Sequence, residues 1–139
     1  MLLNNDIRLH ITGTQTVDNE ETVIDFFVDG HFEDLRDGFV LEYTEPAEHD
    51  LDRLQTTVRY DGQSVQMERG NGSSLIIQQG QRHVCQYATP FGNMYFGISG
   101  GKIDVEKADD RLRLEFDYAI DLNTRPASHN KLKITARSL

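Results

Sequence analysis

Cysteine occurs once in this chain, at Cys85, so no internal disulfide can staple the fold and a disulfide-framed secreted scaffold is excluded. With no Cys-x-x-Cys pair and no lysine or arginine beside it, the thiol reads as a small buried hydrophobe. Basic charge is also short: 14 lysines and arginines face 23 aspartates and glutamates, for a formal charge of -9. Such a balance repels phosphate backbones and anionic lipid, and argues against nucleic-acid and membrane partners. The densest basic stretch, Lys131, Lys133 and Arg137, has the spacing of one solvated strand face rather than a binding stripe. No apolar run approaches the roughly twenty residues that cross a bilayer as a helix. The opening Met1-Leu2-Leu3-Asn4-Asn5-Asp6 lacks the basic flank and apolar core of an export signal, so a cytoplasmic protein is expected.

Signatures of catalysis and metal binding are missing as well. Five histidines (His10, His31, His49, His83 and His129) sit in separate segments, none in a His-x-His or His-x-x-x-His spacing. His31 with Glu33 comes nearest, and reads as a solvated strand edge. Ser64, Ser73, Ser74 and Ser99 lack a nucleophile elbow, and Ser99-Gly100-Gly101 looks like a turn. Gly70-Asn71-Gly72 precedes a strand instead of a helix N-terminus, so it is no phosphate cradle. Glu20-Glu21 and Asp109-Asp110 read as turn residues. No metal or cofactor is expected and nothing marks an enzyme, although an active site assembled only by the fold would be invisible in sequence order.

What is present is alternation. Leu112, Leu114, Phe116, Tyr118, Ile120 and Leu122 interleave with Arg111, Arg113, Glu115, Asp117, Ala119 and Asp121, the pattern of a long strand with one wet face. Ile7, Leu9 and Ile11 repeat it near the start, and Leu132, Ile134 and Ala136 near the end. Asp37-Gly38 and Asp61-Gly62 suit the positive φ of tight hairpins; Gly70-Asn71-Gly72, Gln79-Gly80-Gln81, Phe91-Gly92-Asn93, Gly100-Gly101 and Ala108-Asp109-Asp110 continue the rhythm of turns. Residues 46–54 alone hint at one or two helical turns, from Pro46 and the shared face of Ala47, Leu51 and Leu54. Residues 123–130 read as the longest polar loop late in the chain. At 139 residues, with 37% apolar side chains, one domain over 1–139 is expected. Short connections predict an all-β, antiparallel, mostly up-and-down barrel of about eight to ten strands, closed because an open meander would leave two sticky edges. A two-sheet sandwich is the alternative.

The succession of short motifs resembles that of the YwiB-like family, small bacterial proteins with a lipocalin-like (calycin) barrel. The motifs are Ile7-Arg8-Leu9-His10-Ile11, Gly30-His31-Phe32-Glu33, Gly38-Phe39-Val40-Leu41-Glu42-Tyr43-Thr44-Glu45, Met67-Glu68-Arg69-Gly70, Tyr87-Ala88-Thr89-Pro90-Phe91-Gly92 and Leu114-Glu115-Phe116-Asp117-Tyr118. They span nearly the whole chain. The resemblance implies the barrel and a bacterial cytoplasmic setting, and no activity. Calycin barrels elsewhere hold small apolar ligands in the lumen, which bears on this chain only as fold-level analogy.

Parity singles out one polar cluster. If Phe39, Leu41 and Tyr43 face inward, so does Glu45; if Val65 and Met67 do, so does Arg69. Opposite charges aimed at one interior should pair, since an unpaired buried charge is costly. Gln79, after Leu75 and Ile77, and Gln86, after Val84, extend the same parity. The expected site is a lumen near Tyr43, Glu45, Arg69, Gln86 and Tyr118, either a structural plug or an anchor for a small anionic or amphipathic molecule. The competing reading is an acidic interaction or regulatory module with a filled barrel and no ligand. Residues 22–32 break the alternation: with Ile24, Phe26 and Val28 inside, Val23 and Phe27 point outward, which suits a homodimer through this strand.

Overall fold

A computed structural model of the chain describes residues 5–45, 55–70 and 72–139, with the backbone alone at 87–89. The expected helical turn at 46–54 lies outside the described residues. Ten strands follow in order: β1 (Asp6–Val17), β2 (Glu20–Asp34), β3 (Phe39–Thr44), β4 (Gln55–Tyr60), β5 (Ser64–Arg69), β6 (Ser74–Gln78), β7 (Arg82–Thr89), β8 (Gly92–Ala108), β9 (Arg111–Leu122) and β10 (Arg125–Ser138). Every ladder between neighbours is antiparallel, and the spatial order β6-β5-β4-β3-β2-β1-β10-β9-β8-β7 makes the sheet one meander with its two ends of the chain paired, Ile7 opposite Ser138. No helix occurs among the described residues.

The meander curls into a nearly closed barrel. Its seam, between β6 and β7, is not a regular ladder: the Ile76 N–H donates to Cys85 Sγ at 3.3 Å, Gln78 meets the His83 ring at 3.0 Å, and Gln79 forms a lone parallel bridge to Gly100. Alternation decides what fills the interior. Ile7, Leu9 and Ile11 of β1, Leu112, Leu114 and Phe116 of β9, and Ile134 and Ala136 of β10 are all sealed from water. Phe39, Leu41, Val58, Val65 and Ile77 complete this packed end from the short strands. Each large side chain buried this way contributes about 1.5–3 kcal/mol.

The strands differ in length, and that shapes the other end. β3 to β6 hold five or six residues each, while β2 has 15 and β8 has 17. The long hairpins therefore rise past the short ones, and β2 pairs with β3 only from Gly30 to Asp34.

Several turns depart from the sequence reading. Gly100-Gly101 is no turn but a bulge inside β8, where the ladder to β9 skips from Gly100 to Ile103. The Asp117 carboxylate caps it by accepting the Lys102 N–H at 2.7 Å. Residues 123–130 are not a loop: Asn123 and Thr124, both at positive φ, form a two-residue hairpin turn and β10 begins at once. Glu20 and Glu21 belong to β2, the turn being Asp18-Asn19, again at positive φ. Gly62 has the positive φ its motif suggests, whereas Gly38 does not; glycine is needed there for close approach of the Tyr60 backbone.

Candidate functional site

In β3, Phe39, Leu41 and Tyr43 are buried, and two residues on, Glu45 keeps their direction; in β5, Val65 and Met67 lead to Arg69 in the same way. Register completes the arrangement, because Tyr43 lies opposite Thr56 and Thr56 opposite Arg69. The Arg69 guanidinium donates through Nη2 to Glu45 Oε1 at 3.2 Å. The two side chains remain 36% and 21% exposed, so the pair sits at the rim of the lumen, screened by water and worth no more than about 1 kcal/mol.

Two tyrosines stand under this pair. Burial pushes the Tyr43 phenol well above its usual range; the Glu45 carboxylate adds to the shift and Arg69 opposes it, with Tyr118 a smaller contributor. Burial raises the Tyr118 phenol as well, again opposed by Arg69. Both are held neutral, as hydrogen-bonding groups close to a charged rim.

Tyr43, Glu45, Arg69 and Tyr118 thus come together, but Gln86 and Gln79 do not join them. In β7 the inward residue is Cys85, 6% exposed, while Val84 is 63% exposed. Parity therefore turns Gln86 to the outer face with Arg82, whose guanidinium grips the Asp121 carboxylate through two contacts of 2.7 and 2.9 Å. The expectation of Gln86 inside with Val84 fails because packing against β6 turns Cys85 inward, where the thiol is the small buried hydrophobe the sequence suggests. Burial then lifts the Cys85 thiol above its ordinary range, partly offset by the Ile76 N–H. Gln79 lies at the seam beside the β8 bulge, its Oε1 3.5 Å from the Ile103 N–H.

Above the packed end the lumen is open. A cavity of about 450 Å³ lies between the long hairpins and the ends of β5 and β6. Its walls are chiefly apolar, from Ile24, Leu75, Phe96, Ile98, Ile120 and Leu132, with Arg69, Tyr118 and Asn130 as polar members of the lining. Gly13 helps keep the space open, since a β-carbon there would lie 2.9 Å from Ile24 and 3.2 Å from Leu132. Asn130 was missed in the sequence, although its parity with Leu132 and Ile134 was a usable sign of an inward polar group. It pairs across the sheet with Gln15 and Tyr118, and its Nδ2 donates to Ser128 Oγ at 2.9 Å. A second depression, about 610 Å³, is a wet surface groove between β2, β3 and the chain end, bordered by Asp6, Asp29, His31 and Glu42. Among the described residues no cluster of three or more His, Cys, Asp or Glu side chains could hold a metal.

Residues 9–134 match the family model described as a domain of unknown function, DUF1934. The chain belongs to the DUF1934 family. Among curated proteins none matches it. The fold of this DUF1934 chain is similar to the crystal structure of the YwiB protein from Bacillus subtilis, with a TM-score of 0.83 and 22% identity over 97% of this chain and 92% of that one. At that identity the likeness establishes the fold alone, and it agrees with the resemblance drawn from the motifs.

Proposed function

We propose that the upper lumen binds a small amphipathic anion, its apolar part against Ile24, Leu75, Phe96 and Ile120 and its carboxylate or phosphate at Arg69. The observation that carries this reading is the cavity of about 450 Å³, within the size range of small-molecule sites, with a guanidinium at its edge. Glu45 takes one contact from Arg69 at 3.2 Å, a separation long enough for an incoming anion to compete through the planar fork of donors. The neutral phenol of Tyr118 adds a hydrogen-bonding group without a second negative charge. The reading parallels the lumenal sites of lipocalin-like (calycin) barrels by fold-level analogy, and a lone free cysteine suits a cytoplasmic carrier or sensor. The rival, an acidic interaction module, requires a filled barrel, which an open upper lumen does not favour.

A thermal-shift screen against fatty acids, nucleotides and organic anions tests it. A ligand at a hundredfold excess over its Kd stabilises by about 2.7 kcal/mol, a shift of several degrees for a domain of this size. Arg69→Met is expected to abolish the response to the anionic compounds while changing the unliganded Tm little. If no compound in the broad set raises the Tm, the proposal fails.

A further inference from the structure

Among the described residues, positions 20–29 of β2 have ladder partners on one side only. β1 pairs with β2 without interruption from Asp6↔His31 to Val17↔Glu20, but β3 leaves β2 after Gly30, and no other described strand takes its place. The direction of the unused backbone groups follows from one contact. The Phe32 N–H donates to the Asn5 carbonyl at 2.8 Å, so even-numbered residues of β2 turn their N–H and C=O toward β1. With no register break, Glu21, Val23, Asp25, Phe27 and Asp29 aim theirs at the open edge. Those same residues carry the outward side chains, and Val23 is 56% and Phe27 66% exposed.

We propose that this edge pairs with the same edge of a second copy of the chain, antiparallel about a two-fold axis at Asp25. The geometry selects both partner and register. Centred on residue 25, the pairing sets Val23 opposite Phe27 of the second copy on the outer face, and Ile24 opposite Phe26 on the inner face. Moving the axis by one residue either way sets both Val23 and Phe27 against carboxylates instead. Odd residue meets odd residue, so each such pair exchanges two hydrogen bonds. This register also sets Asp25 against its own copy and Glu21 against Asp29; Arg8 offsets the charge of Asp29, and His10, when protonated, that of Asp25. Asp25 Oδ1 lies 2.5 Å from His10 Nε2, Asp29 Oδ1 accepts from Arg8 Nε at 2.9 Å, and the Phe27 ring stacks on the His10 ring at 4.3 Å. The pairing buries apolar side chains on both faces of an otherwise open strand, the usual remedy for a long exposed edge. It does not depend on any ligand in the lumen.

Single cysteines placed in a Cys85→Ser background read out the register. Asp25→Cys is expected to oxidise to a covalent dimer, since a disulfide needs Cα atoms about 4.4–6.8 Å apart and a hydrogen-bonded pair supplies about 5.5 Å. Val23→Cys and Phe27→Cys should each stay uncrosslinked alone and crosslink when mixed. Sedimentation velocity of the unmodified chain from micromolar to millimolar concentration should show monomer passing to dimer, and Val23→Lys should shift that midpoint at least tenfold upward with the Tm of the monomer kept. A monomer at every concentration, whether because another segment of the chain or a different partner covers the edge, overturns the proposal. So does a dimer whose crosslinks follow any other register.

Discussion

At position 38 a methyl group has no room: a β-carbon would lie 1.7 Å from the Tyr60 carbonyl oxygen, which is backbone and cannot swing away. Gly38→Ala is therefore expected to cost roughly 3 kcal/mol or more in urea unfolding, while Gly80→Ala, with nothing within 4 Å but a positive φ, should cost about 1 kcal/mol. Asp61 acts through charge. Burial alone would raise its carboxyl, but the N–H groups of Ser64 and Gln63 at 2.7 and 2.9 Å overcome this and hold it below its usual range. A carboxyl with a depressed folded value contributes stability that is present above its unfolded value, near 3.9, and is lost as pH falls through the folded one. Asp61→Asn should flatten the acid limb of the stability curve, read by denaturant titration at successive pH values. Tyr43 works in the opposite sense. Its raised folded value means that its contribution is intact below the ordinary value near 10 and is lost as pH rises from there through the folded one. Ultraviolet titration should find Tyr43 among the last phenols to ionise, and Tyr43→Phe should remove the latest step.

β9 shows how far one element's periodicity carries. Every second residue of it faces the interior, yet depth differs along the strand: Phe116 is sealed, while Leu122 at the rim is 40% exposed. Phe116→Ala should cost about 3–5 kcal/mol and Leu122→Ala less than about 1, measured by chemical denaturation. Alternation alone ranks the two alike; only the end of the strand at the cavity mouth separates them. β7 teaches the converse, for there the inward set is Cys85, and an apolar valine points to water.

For the whole molecule the barrel is only as continuous as its seam. Nine neighbouring pairs form antiparallel ladders, but β6 meets β7 through a thiol acceptor and a side-chain contact between Gln78 and His83, with one parallel bridge from Gln79 to Gly100 of β8 beside them. Local opening should start there. In native-state hydrogen exchange the amides of β6 and β7 are expected to exchange faster than those of β1, β9 and β10, which sit between paired neighbours over the packed end. Equal protection of all ten strands would contradict this. The same opening would widen the cavity on the side where Leu75 and Arg69 stand.

The all-β class, the meander and the inward set of β1, β9 and β10 were legible in the residues, because side-chain direction along a strand is a local property with period two. For the same reason Glu45 and Arg69 could be paired before any coordinates. Tertiary structure alone decided the rest. The bulge at Gly100, the reversal of β7, the half-filled lumen and the open edge of β2 depend on how strands of unequal length register across the sheet. Register is a relation between distant segments, and a single residue of slip, or a strand that stops five residues early, leaves no mark in the local pattern.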